Sequence, residues 1–270
     1  MTEIPKRVRV HHLRAAKQAG RRLTMLTAYD AVTARIFDES GVDMLLVGDS
    51  IGNTMHGHDT TLPVTVEDMI PAARAVAGAA QRAFVVVDLP FGSYETGPQQ
   101  ALETAVRVMK TTGADAVKFE GGKRSAAQIR AVTSAGIPVV AHLGYTPQSE
   151  NLLGGPRVQG RGDTAAEALS EDALAVAEAG AVAVVLEMVP APVAARITEI
   201  VAIPTIGIGA GAACDGQVLV WVDMAGMGDW SPRFAKRFGA GGAALRAAAT
   251  AYVEEVRAGV FPDEEHSFTQ

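Results

Sequence analysis

Short apolar segments alternate with helical patterns along most of the chain. Eight of these segments are rich in Val, Ile or Leu and show no polar alternation, as expected for parallel strands that are buried on both faces. The predicted strands are Leu23–Tyr29, Met44–Val47, Phe84–Val87, Ala116–Phe119, Pro138–Ala141, Val182–Leu186, Pro204–Ile208 and Val218–Val222.

Alanine-rich helical patterns separate these strands, and alanine favours helix. Several of the patterns are followed by a glycine, the residue that most often ends a helix in the left-handed conformation. The clearest predicted helices are Ala31–Ser40, Val66–Ala80, Pro98–Thr112, Ser125–Ala135, Thr164–Ala179 and Pro192–Ile200.

The alternation of eight strands with helices predicts a (β/α)₈ barrel. Barrels of this kind span about 250 residues as one domain. We therefore expect a single domain over residues 1–270, with a short N-terminal extension and closing helices within Gly241–Arg257. An open, doubly wound sheet is the main alternative, but it would normally use fewer strands.

Composition narrows the class of protein. With 48% hydrophobic residues the chain can bury a sizeable core, and its net charge of −6 opposes a nucleic-acid partner, which requires an excess of Lys and Arg. The apolar runs are far shorter than the ~18 residues that cross a membrane, and Met1–Gly20 has no apolar leader segment. The single cysteine, Cys214, fits a reducing compartment. We therefore expect a cytoplasmic protein without a membrane partner.

Polar residues follow the apolar runs at the ends of most predicted strands, where barrel enzymes have their active sites. Lys118 lies two residues before Glu120 and therefore faces the same side of its strand. Converging carboxylates need a neutralising partner, and Mg²⁺, which binds one or two carboxylates plus water and substrate oxygens, is the usual one. The residues at these strand ends are Asp30, Asp49, Asp88, Glu120, His142, Glu187 and Asp223.

Each of these residues also has a purely structural interpretation. Asp30 is equally well placed to cap the helix that follows it, and Asp223 could do the same. His142 alone is more typical of a hydrogen-bonded structural histidine than of a metal ligand, and Lys118 could simply pair with a carboxylate. The basic stretch Arg7–Arg22 is better explained as a solvated helix face than as a subunit contact. The repetition of acids at the same place in several strand–helix units favours a functional site.

Two long connections and two shorter motifs indicate a particular function less specifically than the strand-end residues do. The long connections, Asp49–Thr65 and His142–Asp163, are typical of functional lids. The glycine-rich segment Ile206–Gly211 is compatible with a phosphate site, with close backbone approach to a substrate or with tight packing. His56 and His58 in the first connection make a weak case for zinc, because no third ligand is nearby in the sequence.

Several longer motifs occur in a fixed order along the chain. They are Leu26-Thr-Ala-Tyr-Asp30, Val47-Gly-Asp-Ser50, Gly57-His-Asp-Thr-Thr-Leu-Pro-Val-Thr65, Val87-Asp-Leu-Pro-Phe-Gly92, Val117-Lys-Phe-Glu-Gly-Gly122, Ala141-His-Leu-Gly-Tyr-Thr-Pro-Gln148, Leu186-Glu187, Ile206-Gly-Ile-Gly-Ala-Gly211, Asp215-Gly-Gln-Val-Leu219 and Glu265-His-Ser-Phe268. Together they resemble the ketopantoate hydroxymethyltransferase family, from about residue 5 to the last residues of the chain.

The resemblance implies a fold, an activity and an assembly. The fold would be a (β/α)₈ barrel of the phosphoenolpyruvate/pyruvate type. The activity would be transfer of a one-carbon unit from 5,10-methylenetetrahydrofolate to 3-methyl-2-oxobutanoate, giving 2-dehydropantoate for pantothenate biosynthesis. The keto acid and the folate are thus the implied small-molecule partners, and the implied assembly is a large homo-oligomer, typically a decamer.

The resemblance also implies roles for individual residues. Asp49 and Asp88 would hold one Mg²⁺ per subunit, with Glu120 in its inner or outer sphere, and Glu187 would accept a proton. Removal of the C3 proton of the keto acid leaves an enolate, whose charge Mg²⁺ can stabilise. The residues implied around the keto acid are Asp49, Ser50, Asp88, Lys118 and His142.

The folate pocket and the alternative activities depend on the loops. We expect the connections Ser50–Thr65 and Leu143–Asp163 to form the walls of the folate pocket. A related Mg²⁺-dependent barrel enzyme of the isocitrate-lyase type generally carries a reactive cysteine in a lid, whereas Cys214 follows the seventh predicted strand. A non-catalytic barrel that binds a keto acid is the alternative from another class, and it would not need the proton acceptor Glu187.

Overall fold

The computed structural model describes residues 6–268, and within them eight parallel strands form a closed barrel in the order of the chain. This architecture confirms the predicted (β/α)₈ barrel and excludes the open sheet. The strands are β1 (Leu23–Thr27), β2 (Met44–Val47), β3 (Phe84–Asp88), β4 (Ala116–Glu120), β5 (Val139–Gly144), β6 (Ala183–Glu187), β7 (Thr205–Ile208) and β8 (Gly216–Leu219).

Helices occupy the connections from β1 through β6, as the alternation predicts. The β7–β8 connection, residues 209–215, contains no helix among these described residues. Fully extended, these residues span about 23 Å. That length is enough for the chain to return from the carboxyl end of β7 to the amino end of β8 without a helix. The helices are α1 (Val10–Gln18), α2 (Ala31–Glu39), α3 (Ile51–Thr54), α4 (Val66–Ala79), α5 (Pro98–Thr112), α6 (Ala126–Ser134), α7 (Glu150–Leu153), α8 (Asp163–Glu178), α9 (Ala191–Ile200), α10 (Trp221–Ala225) and α11 (Gly241–Ala258).

Asp30 caps α2 and does not join the acids of the candidate site. Its Oδ1 accepts hydrogen bonds from the backbone N–H groups of Val32 and Thr33, at 2.7 and 2.9 Å. These are two of the first N–H groups of the helix, which have no partner inside it. The capping interpretation of Asp30 is therefore the correct one.

The eighth strand lies earlier than predicted. The apolar pattern predicts a strand at Val218–Val222, whereas β8 ends at Leu219 and α10 begins at Trp221. A short apolar run does not distinguish a strand from a buried helical turn. The placement of Asp223 at a strand end is consequently wrong. This residue lies in the first turn of α10, where the helix dipole favours a carboxylate.

The strands that carry most of the candidate site are also deeply buried. Every residue of β2, β3 and β4 is buried, in agreement with their continuous apolar runs. Met44, Leu45 and Phe119 are among the largest side chains with no appreciable exposure. Side chains at the ends of these strands therefore start from a rigid, close-packed base.

Basic side chains near the N-terminus neutralise acids at the amino ends of the strands. Each of these acids directly precedes a strand, so it lies at the end of the barrel opposite the candidate site. The expectation of a solvated helix face is wrong for three side chains of the basic stretch, because these form ion pairs with partly or fully buried carboxylates. The pairs are Arg7–Asp115 at 2.9 Å, Lys17–Asp215 at 2.7 Å and Arg21–Asp43 at 3.3 Å.

The chain divides into two compact units, Met1–Leu219 and Val220–Gln270. The first unit contains the whole barrel, and the second contains α10 and α11, the latter matching the helix expected within Gly241–Arg257. A single domain over residues 1–270 stays a prediction. Across residues 6–268, no helix combines the length and the apolar character that crossing a membrane requires.

Candidate active site

Strand register places the predicted site residues side by side at the carboxyl ends of β3 to β6. Asp88 is the register partner of Lys118, and Glu120 is the register partner of His142. Partners in neighbouring parallel strands share a face of the sheet, and Lys118 shares its face with Glu120 because they are two residues apart. Glu187 ends β6. The acids thus belong to the strands themselves, one residue further along than the predicted strand ends.

Asp49 and Ser50 enter the site from the turn after β2. The backbone N–H of Asp49 donates to Asp88 Oδ2 at 3.0 Å, which links the two buried acids. Ser50 Oγ lies 2.8 Å from the hydroxyl of Tyr29, which lies two residues after the end of β1. Gly48 permits this tight turn, because a Cβ at that position would lie 2.8 Å from Ser50 Oγ.

A buried ion pair joins Lys118 to Asp88. Lys118 Nζ lies 2.6 Å from Asp88 Oδ1, and the two side chains are 5% and 2% exposed. Burial acts to lower the pKa of Lys118, but the carboxylates of Asp88, Asp49 and Glu120 raise it above its usual value. Lys118 is therefore a permanent cation within the acid cluster.

The pKa of Asp49 indicates that its surroundings hold too little positive charge to stabilise its ionised form. Burial, followed by the negative charges of Asp88 and Glu120, raises the pKa of Asp49 to about 7, although Lys118 and a hydrogen bond from Gln148 act in the opposite direction. A carboxyl group that ionises only near neutrality marks a place where a further cation would be stabilising.

His142 lies between two carboxylates at the ends of neighbouring strands. Its Nδ1 is 3.5 Å from Glu120 Oε1, and its Nε2 is 3.2 Å from Glu187 Oε2. Burial and the charge of Lys118 act to lower the pKa of His142, but the interactions with Glu120 and Glu187 raise it to about 9. The imidazole is therefore a cation at neutral pH. It connects the fully buried Glu120 to Glu187, whose side chain is 17% exposed.

The backbone around Glu187 is tightly constrained. Its carbonyl accepts a hydrogen bond from Tyr145 N at 2.8 Å, and the next residue, Met188, donates its N–H to Ile208 O at 2.9 Å. Met188 has a φ of 48°, in the left-handed region that non-glycine residues seldom occupy. Gly144 approaches so closely that a Cβ there would lie 2.2 Å from Glu187 O. Strain of this kind concentrates at functional sites.

Two buried polar side chains complete the site and were missed by sequence reasoning. Gln148 donates from Nε2 to Asp49 Oδ2 at 2.8 Å, and Tyr94 donates its hydroxyl proton to Gln148 Oε1 at 2.5 Å. Neither residue directly follows a predicted strand, so a search for polar residues at the predicted strand ends does not find them. Gln148 does end the Ala141–Gln148 motif, which is the one sequence signal that could have indicated it.

The structure locates the less specific motifs. Gly211 is packed against α9, because a Cβ there would lie 2.5 Å from Ala191 Cβ, so tight packing explains this glycine of the glycine-rich segment. The exposed His56 and His58 rings lie 5.8 Å apart. Cys214 is buried two residues before the start of β8, at the amino end of the barrel, and therefore does not lie in a lid.

The donor set at the mouth of the barrel suits a hard cation. Among residues 6–268 no three or more His, Cys, Asp or Glu side chains are spaced to enclose a metal ion by themselves. Mg²⁺ does not require such an enclosure, because it binds one or two carboxylates and takes its remaining ligands from water and substrate. The buried oxygens of Asp49 and Asp88 meet that requirement.

Solved structures with a similar fold include a hydrolase and a lyase. A phosphonopyruvate hydrolase in complex with oxalate and Mg²⁺ matches with a TM-score of 0.62 and 14% identity, covering 96% of this chain and 93% of that chain. A 2,3-dimethylmalate lyase, a member of the PEP mutase/isocitrate lyase superfamily, matches with a TM-score of 0.59 and 18% identity, covering 97% and 92%. At such identities the likeness shows the fold alone, a closed barrel of eight parallel strands.

Sequence comparison is more specific. A 3-methyl-2-oxobutanoate hydroxymethyltransferase from Leifsonia xyli subsp. xyli is 63% identical over 265 residues, which cover 98% of this chain and 95% of the relative. The protein of that name from Mycolicibacterium paratuberculosis is 60% identical over 263 residues, covering 97% and 92%. The family model for ketopantoate hydroxymethyltransferase matches residues 7–264. This chain therefore belongs to the ketopantoate hydroxymethyltransferase family of transferase enzymes.

Proposed function

We propose that this chain transfers a one-carbon unit from 5,10-methylenetetrahydrofolate to 3-methyl-2-oxobutanoate and so produces 2-dehydropantoate, in the first step of pantothenate biosynthesis. The observation that carries the proposal is the buried cluster of Asp49, Asp88 and Lys118 with Glu187 at the same mouth of the barrel. Family membership supports the choice of keto acid, and the cluster supports chemistry in which negative charge develops on that substrate.

The acid cluster fits a divalent cation. Asp49 and Asp88 would hold one Mg²⁺, and the raised pKa of Asp49, caused chiefly by burial and by Asp88, supports this assignment. Glu120 would lie in the outer sphere, because its Oε2 already accepts a hydrogen bond from Gln148 N at 3.1 Å and its Oε1 faces His142. When bound, the cation supplies Lewis-acid stabilisation of charge on the keto oxygen.

Lys118 and Ser50 would orient the keto acid. The Lys118 ammonium group is buried and carries its charge at all physiological pH values, so it can attract the substrate carboxylate or the developing oxyanion. Ser50 Oγ is held by Tyr29 at 2.8 Å and can donate its own proton to a substrate oxygen. His142, at the neighbouring strand end, would add a second positive charge to the same pocket.

Glu187 would remove the proton from C3 of the keto acid. Its carboxylate is partly open to the mouth, in contrast to the buried Glu120. The contact of His142 Nε2 with Glu187 Oε2, at 3.2 Å, limits the freedom of the base. The carbanion that remains on C3 would then form the new carbon–carbon bond with the one-carbon unit of the folate. Over the whole reaction both carbon–nitrogen bonds of that unit break, water supplies the hydroxyl group of the product, and tetrahydrofolate leaves.

The two long connections would form the folate pocket. The connection after β2 exposes Met55, and the connection after β5 exposes Leu152, which is 82% accessible. Apolar side chains in loops around one mouth suit the flat pterin and benzoyl rings, whose acidic tail can stay in solvent.

We also propose a homo-oligomer, typically a decamer in this family, and the exposed apolar side chains of α11, such as Leu245 and Tyr252, support an association surface.

Proton exchange tests the proposal without the folate. The protein is mixed with Mg²⁺ and 3-methyl-2-oxobutanoate in deuterium oxide, and the C3 proton signal is followed by NMR. We expect loss of that signal, and production of 2-dehydropantoate after 5,10-methylenetetrahydrofolate is added. The Glu187→Gln variant should retain keto-acid binding and lose most of the exchange, because the amide cannot accept the proton.

A matched control separates the base from a general charge effect. Glu167→Gln makes the same change on α8, where Glu167 pairs with Arg196 on α9, and should exchange at the wild-type rate. Near-normal exchange in Glu187→Gln would remove this residue from the role of base. Absence of exchange in the wild-type protein, with and without folate, would favour a non-catalytic barrel.

A further inference from the structure

A chain of buried hydrogen bonds runs from the backbone of β4 to the carboxylate of Asp49. Glu120 N donates to the Tyr94 hydroxyl at 3.2 Å, and Tyr94 donates to Gln148 Oε1 at 2.5 Å. Gln148 Nε2 then donates to Asp49 Oδ2 at 2.8 Å and to Leu89 O at 3.0 Å. Tyr94 and Gln148 are 3% and 6% exposed, so water does not substitute for these partners.

The donor and acceptor groups fix the direction of each bond in this series of hydrogen bonds. A backbone N–H can only donate, so the Tyr94 oxygen accepts from Glu120 and its own proton goes to Gln148. The oxygen of the Gln148 amide is thereby directed to Tyr94, and the NH₂ group is directed to Asp49. Leu89 O, which can only accept, requires the same orientation.

The same residue also fastens a loop to the floor of the site. Gln148 lies in the 3₁₀ turn Pro147–Ser149 of the connection after β5. Its backbone N–H donates to Glu120 Oε2 at 3.1 Å, while its side chain spans to the turns after β2 and β3. One glutamine thus ties together three strand ends that carry candidate ligands.

We propose that Gln148, oriented by Tyr94, is a positioning residue that holds the Asp49 carboxylate in place for a divalent cation and the keto acid. This inference rests on the proposed function, because it requires that Asp49 binds the cation. Residues that orient metal ligands typically change metal affinity by about 10–100-fold when they are replaced. Gln148 would act through Asp49 and would not itself touch the reacting atoms.

Direct binding of Mn²⁺ tests this role without a turnover assay. The wild-type chain, Gln148→Met, Tyr94→Phe and the double variant are titrated with Mn²⁺, and the free ion is measured by electron paramagnetic resonance. Gln148→Met should weaken binding about 10–100-fold. Tyr94→Phe should weaken it about three- to tenfold, as expected for one lost neutral hydrogen bond.

The double variant carries the decisive comparison. If Tyr94 acts through Gln148, then Tyr94→Phe should change Mn²⁺ affinity less than about twofold in the Gln148→Met background. Saturating Mg²⁺ should restore most of the C3 proton exchange in Gln148→Met, because the reacting groups are intact. The matched control is Gln81→Met, an exposed glutamine before β3 at the amino end of the barrel, which should bind Mn²⁺ like the wild-type chain.

Each outcome has a defined meaning. Unchanged Mn²⁺ affinity in both single variants, in folded protein, would overturn the inference and leave the proposed function standing. Additive effects of the two substitutions would overturn the orienting role of Tyr94. Absence of Mn²⁺ binding by the wild-type chain would overturn both proposals. If Gln148→Met fails to fold, then Tyr94→Phe decides alone, since a purely structural role would lower its melting temperature without changing its Mn²⁺ affinity.

Discussion

Without the proposed cation, the stability of this chain should depend on pH through Asp49. In the metal-free fold, burial and the neighbouring charges of Asp88 and Glu120 raise the pKa of Asp49 to about 7, from its usual value of 3.8. The folded chain therefore holds this proton over a pH range in which the unfolded chain has released it. Raising the pH through that range costs stability, because the unfolded state then binds fewer protons than the folded state.

The magnitude follows from the separation of the two pKa values. Each pKa unit corresponds to about 1.4 kcal/mol, so ionisation of Asp49 in the metal-free fold costs about 4 kcal/mol in free energy of unfolding. This cost is absent below about pH 4 and complete above about pH 7. His142, whose pKa is raised to about 9 by Glu120 and Glu187 against the effect of burial, adds a loss at higher pH, between about 6.5 and 9.

Comparison with Asp49→Asn isolates the contribution of this carboxyl group. The asparagine oxygen can still accept the hydrogen bond from Gln148, so the variant removes the titration and keeps the contact. Urea unfolding is measured in a chelating buffer at pH 5, 6, 7 and 8. Relative to Asp49→Asn, the wild-type chain should lose stability as the pH rises, and added Mg²⁺ at pH 8 should restore it in the wild-type chain alone. An equal difference between the two proteins at pH 5 and pH 8 would refute the reasoning.

Three further substitutions test other parts of the site and its scaffold. Lys118→Met leaves Asp88 without its buried partner and should lower the free energy of unfolding by about 3–5 kcal/mol, measured by urea unfolding without metal. Gly144→Ala places a Cβ 2.2 Å from Glu187 O and strains a φ of 91°, so it should slow C3 proton exchange about 10–100-fold by displacing the base. Asp30→Ala removes the cap of α2 and should cost about 1 kcal/mol of stability while leaving proton exchange unchanged.

Sequence patterns predict the barrel well because its strands are buried on both faces. A continuous apolar run such as that of β3 is stable as a strand that is buried on both faces. The first polar residue after the run, Asp88, marks the carboxyl end of that strand. Register then decides which ends meet, and the pairing of Asp88 with Lys118 follows from the closed order of the strands. The strand-end acids were therefore predictable as a group.

Loops and side-chain networks were not predictable by the same reasoning. Gln148 and Tyr94 come from connections whose path is set by tertiary contacts, and no periodicity relates their positions to Asp49. Asp30 and Asp223 follow apolar runs as the site acids do, yet both lie in the first turn or cap of a helix. Only the hydrogen-bond partners distinguish a capping carboxylate from one that faces the mouth of the barrel.

The acids at the two ends of the barrel differ in how far basic side chains neutralise their negative charge. At the amino ends, each acid before a strand pairs with a basic side chain and accepts a backbone N–H, as Asp215 does from Lys17 and from Thr205 N. At the carboxyl ends, and among residues 6–268, two cationic side chains, Lys118 and His142, face the carboxylates of Asp49, Asp88, Glu120 and Glu187. The formal excess of two negative charges is costly in a buried site. In the proposed function a divalent cation would balance this excess, so the acids at the mouth of the barrel would form a site that its ligand completes.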